Sequence, residues 1–279
     1  MKTMLVALVA LLSTAITAWA QDDNFSEDDI AAALEFSMGD AAYTMYHEIG
    51  HMLVHELGLP VLGKEEDAAD TLAVIMLLND DSDENSYIRL IDAADGWYFK
   101  AHNQDISSMA DLAYYDEHSL NIERAYAMAC MMLGKDQDYF GSVGDFYNID
   151  QDSRDSCAYT YEEAETAWNS VLEPHLLADE AGADIEVIYE EPAPGYEVYA
   201  QALQDDRILE HAAELVTSTY VLPRPIVFRA KMCDEANAYY SYGGEVTYCY
   251  EVAEEMANLY LSDVIRYYSD DSADLDAAE

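Results

Sequence analysis

Apolar positions in the first two thirds of the chain fall mainly at helical spacing. "NFSEDDIAAALEFSM" sets Ser26 before an acidic first turn and an apolar run, which predicts a capped helix. Gly39-Asp40 is expected to break it. From about Ala41 to Leu57 a second helix is expected, because Met45, Tyr46, Ile49, Met52, Leu53 and Leu57 recur every three or four residues. Gly58 and Pro60 in "GLPVLGK" are stop signals and predict a tight connection. Glu65 opens a third helix with Ala68, Ala69, Leu72, Ala73, Ile75 and Met76 on its buried side. Further helices are expected around Ser86–Ala101, Leu120–Leu133 and Tyr161–Leu172, with a polar, turn-rich stretch between Gly134 and Asp155.

The period changes near Asp184. "DIEVIYEE" alternates as a strand does, and "GYEVYAQALQDDRILEHAAELVTSTY" reads as one long helix. "PIVFRAKMC" and "NAYYSYGGEVTYCYE" read as strands with a hairpin turn at Gly243-Gly244, before a last helix in "VAEEMANLYLSDVIRYY". About three short strands need a helical layer to cover them. The expected fold class is therefore α+β, mainly helical, in one domain over 21–268. Residues 269–279, an acidic tail, are expected to be disordered. Residues 1–20 read as a cleavable signal peptide: Lys2, an apolar run from Met4 to Leu12, then Ala18-Trp19-Ala20. That run is short for a membrane span, so a secreted or periplasmic protein without stable membrane insertion is expected.

Charge narrows the partners. The chain carries 57 Asp+Glu against 12 Lys+Arg, a formal charge of −45. Such a surface repels nucleic acid and anionic membranes. A hydrophobic content of 51% and 23 tyrosines argue for a folded protein, and a salty medium would screen the self-repulsion. Export also favours disulfides. Four cysteines allow three pairings, and the sequence-local ones, Cys130–Cys157 and Cys233–Cys249, are preferred.

Candidate chemistry lies in "MYHEIGHMLVHELGLPVLGKEEDAAD". His47 and His51 are four apart on an expected helix, so their imidazoles share a face with Glu48 between them. This is H-E-x-x-H: two histidines for one zinc ion and a glutamate as general base. A catalytic zinc takes a third protein ligand. His55 lies roughly 12 Å along the helix from His47, too far for one ion, and it fails the metzincin spacing, which would put the third histidine at Leu57. Glu65 and Glu66 open the facing helix. Glu66 is the better ligand, because Asp70 follows at i+4 and can accept the second N–H of a ligand histidine. Glu65 has no such partner, since Ala69 holds the matching position, and it is read with His55 and Glu56 as ordinary surface.

"YHEIGHMLVHELGLPVLGKEEDAADTLA" resembles the signature of a secreted bacterial metallopeptidase family that is formally a domain of unknown function. The resemblance continues in "DEHSLNIERAYAMACMMLGKD", "RDSCAYTYEEAETAWNSVLEPHL" and "LPRPIVFRAKMCDEANAYYSYGGEVTYCYE", and covers most of the mature chain. It implies His47, His51 and Glu66 as ligands and Glu48 as base, and it supports both cysteine pairings. The block "DEHSL" makes Glu117 and His118 candidates for the site's rim, against the plainer reading that Ser119 caps the next helix. The family usually places its "C…NAFYD…CYE" segment before the zinc motif, whereas here Cys233 to Glu251 follows it. A circular permutation is therefore expected, with the Cys233–Cys249 hairpin still beside the His47 helix as an edge along which a peptide can lie.

The expected function is that of a secreted zinc-dependent endopeptidase of the gluzincin type, acting on a peptide or protein. A non-catalytic metal-containing binding module and a metal-dependent hydrolase of another amide or ester are the alternatives. Glu48 counts against the first of these, because a purely structural site needs no base.

Overall fold

The computed structural model describes residues 25–103, 117–178 and 184–276, with side chains described through residue 263. The segment expected as a signal peptide lies outside these residues. Helix α1 spans Glu27–Leu57. Ser26 caps it: its hydroxyl accepts the Asp29 N–H, and the Asp29 carboxylate accepts the Ser26 N–H in return. Gly58, at φ 64°, ends it in the left-handed conformation, with its N–H on the His55 and Val54 carbonyls.

The expected break at Gly39-Asp40 does not occur, and the helix runs straight through. Gly39 serves the packing instead. A Cβ there would lie 2.5 Å from Asp92 Oδ2, so the glycine admits helix α3 (Ser86–Asn103) against α1. Between them in sequence, α2 (Glu65–Leu78) turns back along α1. Gly50 sets this second approach: a Cβ would lie 3.1 Å from Ala69 Cα. Leu72, Ala73, Val74, Ile75, Met76, Leu77 and Leu78 are all buried, so the end of α2 is enclosed on every side.

Helices α4 (Asn121–Lys135), α5 (Gly141–Phe146) and α6 (Gln151–Leu172) follow. Helix α6 begins ten residues before its expected start at Tyr161. Only Cys157, Tyr161 and Leu172 on it are buried, so it carries little apolar period. The overlooked sign was Asp150, which caps it by accepting the Ser153 N–H at 2.9 Å. The Cys130–Cys157 disulfide ties α4 to α6. The expected long helix after Tyr196 is two, α7 (Glu197–Asp205) and α8 (Ile208–Thr219), separated by Arg207 at φ 53°.

The sheet has four strands where about three were expected: β1 (Ile185–Tyr189), β2 (Ile226–Lys231), β3 (Ala238–Ser241) and β4 (Glu245–Cys249), in the order β1-β2-β4-β3. "NAYYSYGGEVTYCYE" supplies both strands of an antiparallel hairpin, with Gly244 at φ 87° in its turn. The other two pairings are parallel. Cys233–Cys249 closes the loop that leads into β3. Along β2, Ile226, Phe228 and Ala230 are buried while the residues between them are half-buried, as a sheet covered on one face requires. Helix α9 (Tyr250–Asp276) takes in much of the acidic tail and packs on α1, where the Phe36 and Tyr260 rings lie 5.1 Å apart. Buried apolar side chains from the helices and the sheet form one cluster, a mainly helical α+β arrangement with α1 at its centre. No described helix is long and apolar enough to cross a membrane.

The crossing of α1 and α3 buries carboxylates. Burial, then the charges of Asp95 and Glu35, push Asp92 up to about 8. In the unfolded chain Asp92 ionises near its ordinary value, so the folded state holds the extra proton between about pH 4 and pH 8. Stability must fall as pH rises through that window. Asp92→Asn is expected to raise the unfolding free energy at pH 7 by a few kcal/mol, on the order of 1.4 per pK unit. The gain should vanish near pH 4. Urea unfolding of both proteins at the two pH values measures this, and equal stability at pH 7 would contradict it.

Candidate metal centre

The α1–α2 approach brings the expected ligands together. His47 and His51 lie one turn apart on α1, with their Nε2 atoms 3.2 Å apart. Glu66, in the first turn of α2, places Oε2 3.2 Å from each of them. Three donors at equal spacing form one face of a tetrahedron. Zinc bonded to nitrogen and oxygen at about 2.0–2.1 Å needs ligands roughly 3.3 Å apart, so the side chains present fit such an ion.

The second nitrogens of both histidines are held. His47 Nδ1 lies 2.7 Å from Asp70 Oδ1, one turn beyond Glu66 on α2. His51 Nδ1 pairs with Glu65 Oε1 at 2.9 Å. Glu65 is therefore not the ordinary surface residue expected from its sequence: it is exposed, but it orients His51. The error came from requiring a carboxylate at i+4, when the two histidines present their outer nitrogens to different turns of α2.

Asp70 is itself enclosed. Arg124 of α4 forks onto it, Nε to Oδ2 at 2.7 Å and Nη2 to Oδ1 at 2.5 Å, and the Tyr43 hydroxyl donates to Oδ1 at 2.6 Å. The guanidinium lies 3.5 Å from the centre of the Trp97 ring. Burial opposes ionisation of Asp70, yet His47 and Arg124 hold it well below the usual carboxylate range. Burial likewise opposes charge on His47, but Asp70 and Glu66 raise its pKa to about 9. Sequence reading passed over Arg124 and Tyr43. Both had signals: Tyr43 is one turn before His47, and any of 12 basic residues among 57 acids is a strong candidate for a carboxylate partner.

Glu48 is buried beside the two histidines. Burial raises its pKa, while His47, His51 and the backbone N–H of Tyr240 favour its ionised form. Tyr240 belongs to β3, so the Cys233–Cys249 hairpin does lie beside the His47 helix. Glu56 anchors it. Its carboxylate accepts the Tyr240 hydroxyl and Arg224, whose Nε is 3.0 Å away, and Arg224 also holds the Tyr242 carbonyl. Glu56 is thus a structural tie between α1 and the hairpin, not the surface residue expected. His55 is exposed at the helix end, its ring 4.5 Å from that of Tyr242.

His118 reaches the centre, with Nε2 3.0 Å from Glu66 Oε2. His47, Glu66 and His118 gather ligand atoms within 4.8 Å of one another. Glu117 is exposed. Ser119 does not cap α4; its hydroxyl donates to Asp67 on α2 at 2.7 Å, and Leu120 holds the cap position. Cys233, Cys249 and Glu251 also lie together, but those sulfurs form the disulfide, and Glu251 Oε1 accepts the N–H groups of Cys233 and Asp234.

The chain belongs to a family whose model, described as "Putative metallopeptidase", matches residues 5–172 and 189–274. Membership in such a family implies a metal. No curated protein and no solved structure matches the chain.

Because Asp70 fixes the orientation of His47, Asp70→Asn is expected to weaken zinc binding by about 10–100-fold. Competition with a chromophoric chelator reads this directly, and an unchanged affinity would remove the role given to Asp70. Arg124→Met leaves that carboxylate buried without its cation, and a loss of about 3–5 kcal/mol in unfolding free energy is expected.

Proposed function

We propose that this chain is an exported zinc-dependent endopeptidase of the gluzincin type, with His47, His51 and Glu66 as ligands of one ion and Glu48 as general base. The observation that carries the reading is the 3.2 Å triangle of two imidazole nitrogens and one carboxylate oxygen, with Glu48 buried beside it. When bound, zinc polarises a substrate carbonyl and makes water more acidic. The chain's own residues do the rest. Glu48 accepts a proton from the water that attacks the carbonyl and passes it to the leaving amine. Asp70 and Glu65 keep the outer N–H of each histidine engaged, which leaves each Nε2 lone pair facing inward.

Strand β3 supports a peptide substrate. The Cys249 N–H donates to the Asn237 carbonyl, so Asn237, Tyr239 and Ser241 are the residues that bond to β4. Ala238 and Tyr240 therefore turn their main-chain groups outward along the sheet edge, and the Tyr240 N–H faces Glu48. An extended peptide laid on this edge would pass the ligand triangle. The paired cysteines suit an oxidising compartment, in line with export. The hairpin's place beside α1, and the packing of α9 on the start of α1, also support reading the block order as a circular permutation.

The test compares wild type with Glu48→Gln. Both are expected to hold one zinc per chain by atomic emission. Wild type should cleave members of a broad peptide library, and Glu48→Gln should do so about 10²–10⁴-fold more slowly. Zinc bound with no cleavage by wild type would favour a binding module. Equal cleavage by both would deny Glu48 its role, and no stoichiometric metal would end the reading.

A further inference from the structure

The catalytic reading leaves the tip of the hairpin beside α1 without a role. We propose that His55, Tyr240 and Tyr242 form a specificity subsite for a lysine or arginine side chain of the bound peptide, and that basic peptides are the substrate class. This rests on the peptidase reading above and on its use of the β3 edge.

Three rings meet at this point. The His55 ring lies 4.5 Å from that of Tyr242 and 5.7 Å from that of Tyr240, and the two tyrosine rings are 6.2 Å apart. Tyr242 is 77% exposed, so its ring adds little to the core. Its backbone is nonetheless fixed. Arg224 Nη2 donates to the Tyr242 carbonyl at 2.8 Å and Nη1 to the Gly243 carbonyl at 3.2 Å, while the same guanidinium is bound to Glu56 of α1. The Tyr240 hydroxyl also donates to Glu56. The hairpin tip is therefore a rigid mount for an open aromatic face.

The place of these rings suits a substrate side chain. His55 follows His51 by four residues on α1, about 6 Å along the helix axis. One residue of an extended peptide covers about 3.3 Å. A peptide on the β3 edge with its scissile carbonyl at the ligand triangle thus carries the side chain about two residues away past the three rings.

Charge selects the occupant. Aromatic faces carry negative partial charge and attract ammonium and guanidinium groups. The chain's formal charge is −45, and each described arginine side chain faces an acid. Arg224, the cation beside the rings, is itself neutralised by Glu56. The surrounding field therefore draws in a cationic side chain and repels an acidic one. An apolar side chain would gain from the rings but nothing from the field.

The test digests a positional peptide library with the zinc-loaded full chain and reads the products by mass spectrometry. Lys or Arg is expected to be enriched at one position two residues from the cut bond. Tyr242→Ala and His55→Ala should each lower that enrichment roughly three- to tenfold, with zinc content and melting temperature unchanged. Binding gives a second readout. On Glu48→Gln, fluorescence anisotropy should show tighter binding of a peptide with Lys at that position than of the same peptide with norleucine or Glu, and adding Tyr242→Ala should remove most of the difference. Enrichment of apolar or acidic residues there would overturn the subsite. So would a preference for Lys that survives both substitutions, since net charge alone would then account for it. Either result leaves the peptidase reading intact, whereas a wild type that cleaves nothing in the library would overturn both.

Discussion

The crossing of α1 and α2 at Gly50 and Ala69 governs this molecule. At that point two helix backbones approach so closely that a Cβ added at Gly50 would lie 3.1 Å from Ala69 Cα, and α2 would have to give by a few tenths of an ångström. The approach puts the first turn of α2 within reach of one face of α1. Glu65, Glu66 and Asp70 then meet His47 and His51 at distances of 2.7 to 3.2 Å. A side chain at position 50 would press on Ala69, in the same helix as Glu66 and Asp70. The glycine inside H-E-x-G-H therefore acts through packing, although it touches no substrate and ligates nothing.

Gathering this many carboxylates in a chain of charge −45 needs local compensation. Two of the few basic residues lie where acids are enclosed. Arg124, buried over Trp97, neutralises Asp70 behind His47. Arg224 binds Glu56 and, through the Tyr242 carbonyl, holds the hairpin to the end of α1. Elsewhere burial favours the protonated carboxyl: Asp92 is pushed up to about 8 and Asp95 to about 6. Both sit on α3, the helix that Gly39 admits against α1.

The errors of the sequence reading share a cause. Gly39-Asp40 looked like a helix end because glycine is a poor helix former, but in the folded chain the cost is met by the contact it permits. The start of α6 was missed because most of that helix faces water and shows no apolar period. Arg207 was read through because nothing local distinguishes a residue that will adopt positive φ. Glu65 and Glu56 were set aside as surface acids, since their partners, His51 and Arg224, lie 14 and 168 residues away. Local pattern carries no trace of contacts at that separation.

By itself the sequence pointed to the α+β class, the apolar faces of α1 and α2, the two cysteine pairs, and His47, Glu48, His51, Glu66 and Asp70 as side chains that one helix crossing would gather. These were legible because helix periodicity is short-ranged: four residues make one turn, so shared faces can be counted along the chain. Tertiary structure alone decided that Arg124 and Tyr43 enclose Asp70, that Glu65 orients His51, that β3 turns the Tyr240 N–H toward Glu48, and that His118 joins Glu66. Each of these joins segments whose relative position depends on how the whole core packs, and packing is settled by volume and close approach that no short stretch of sequence encodes.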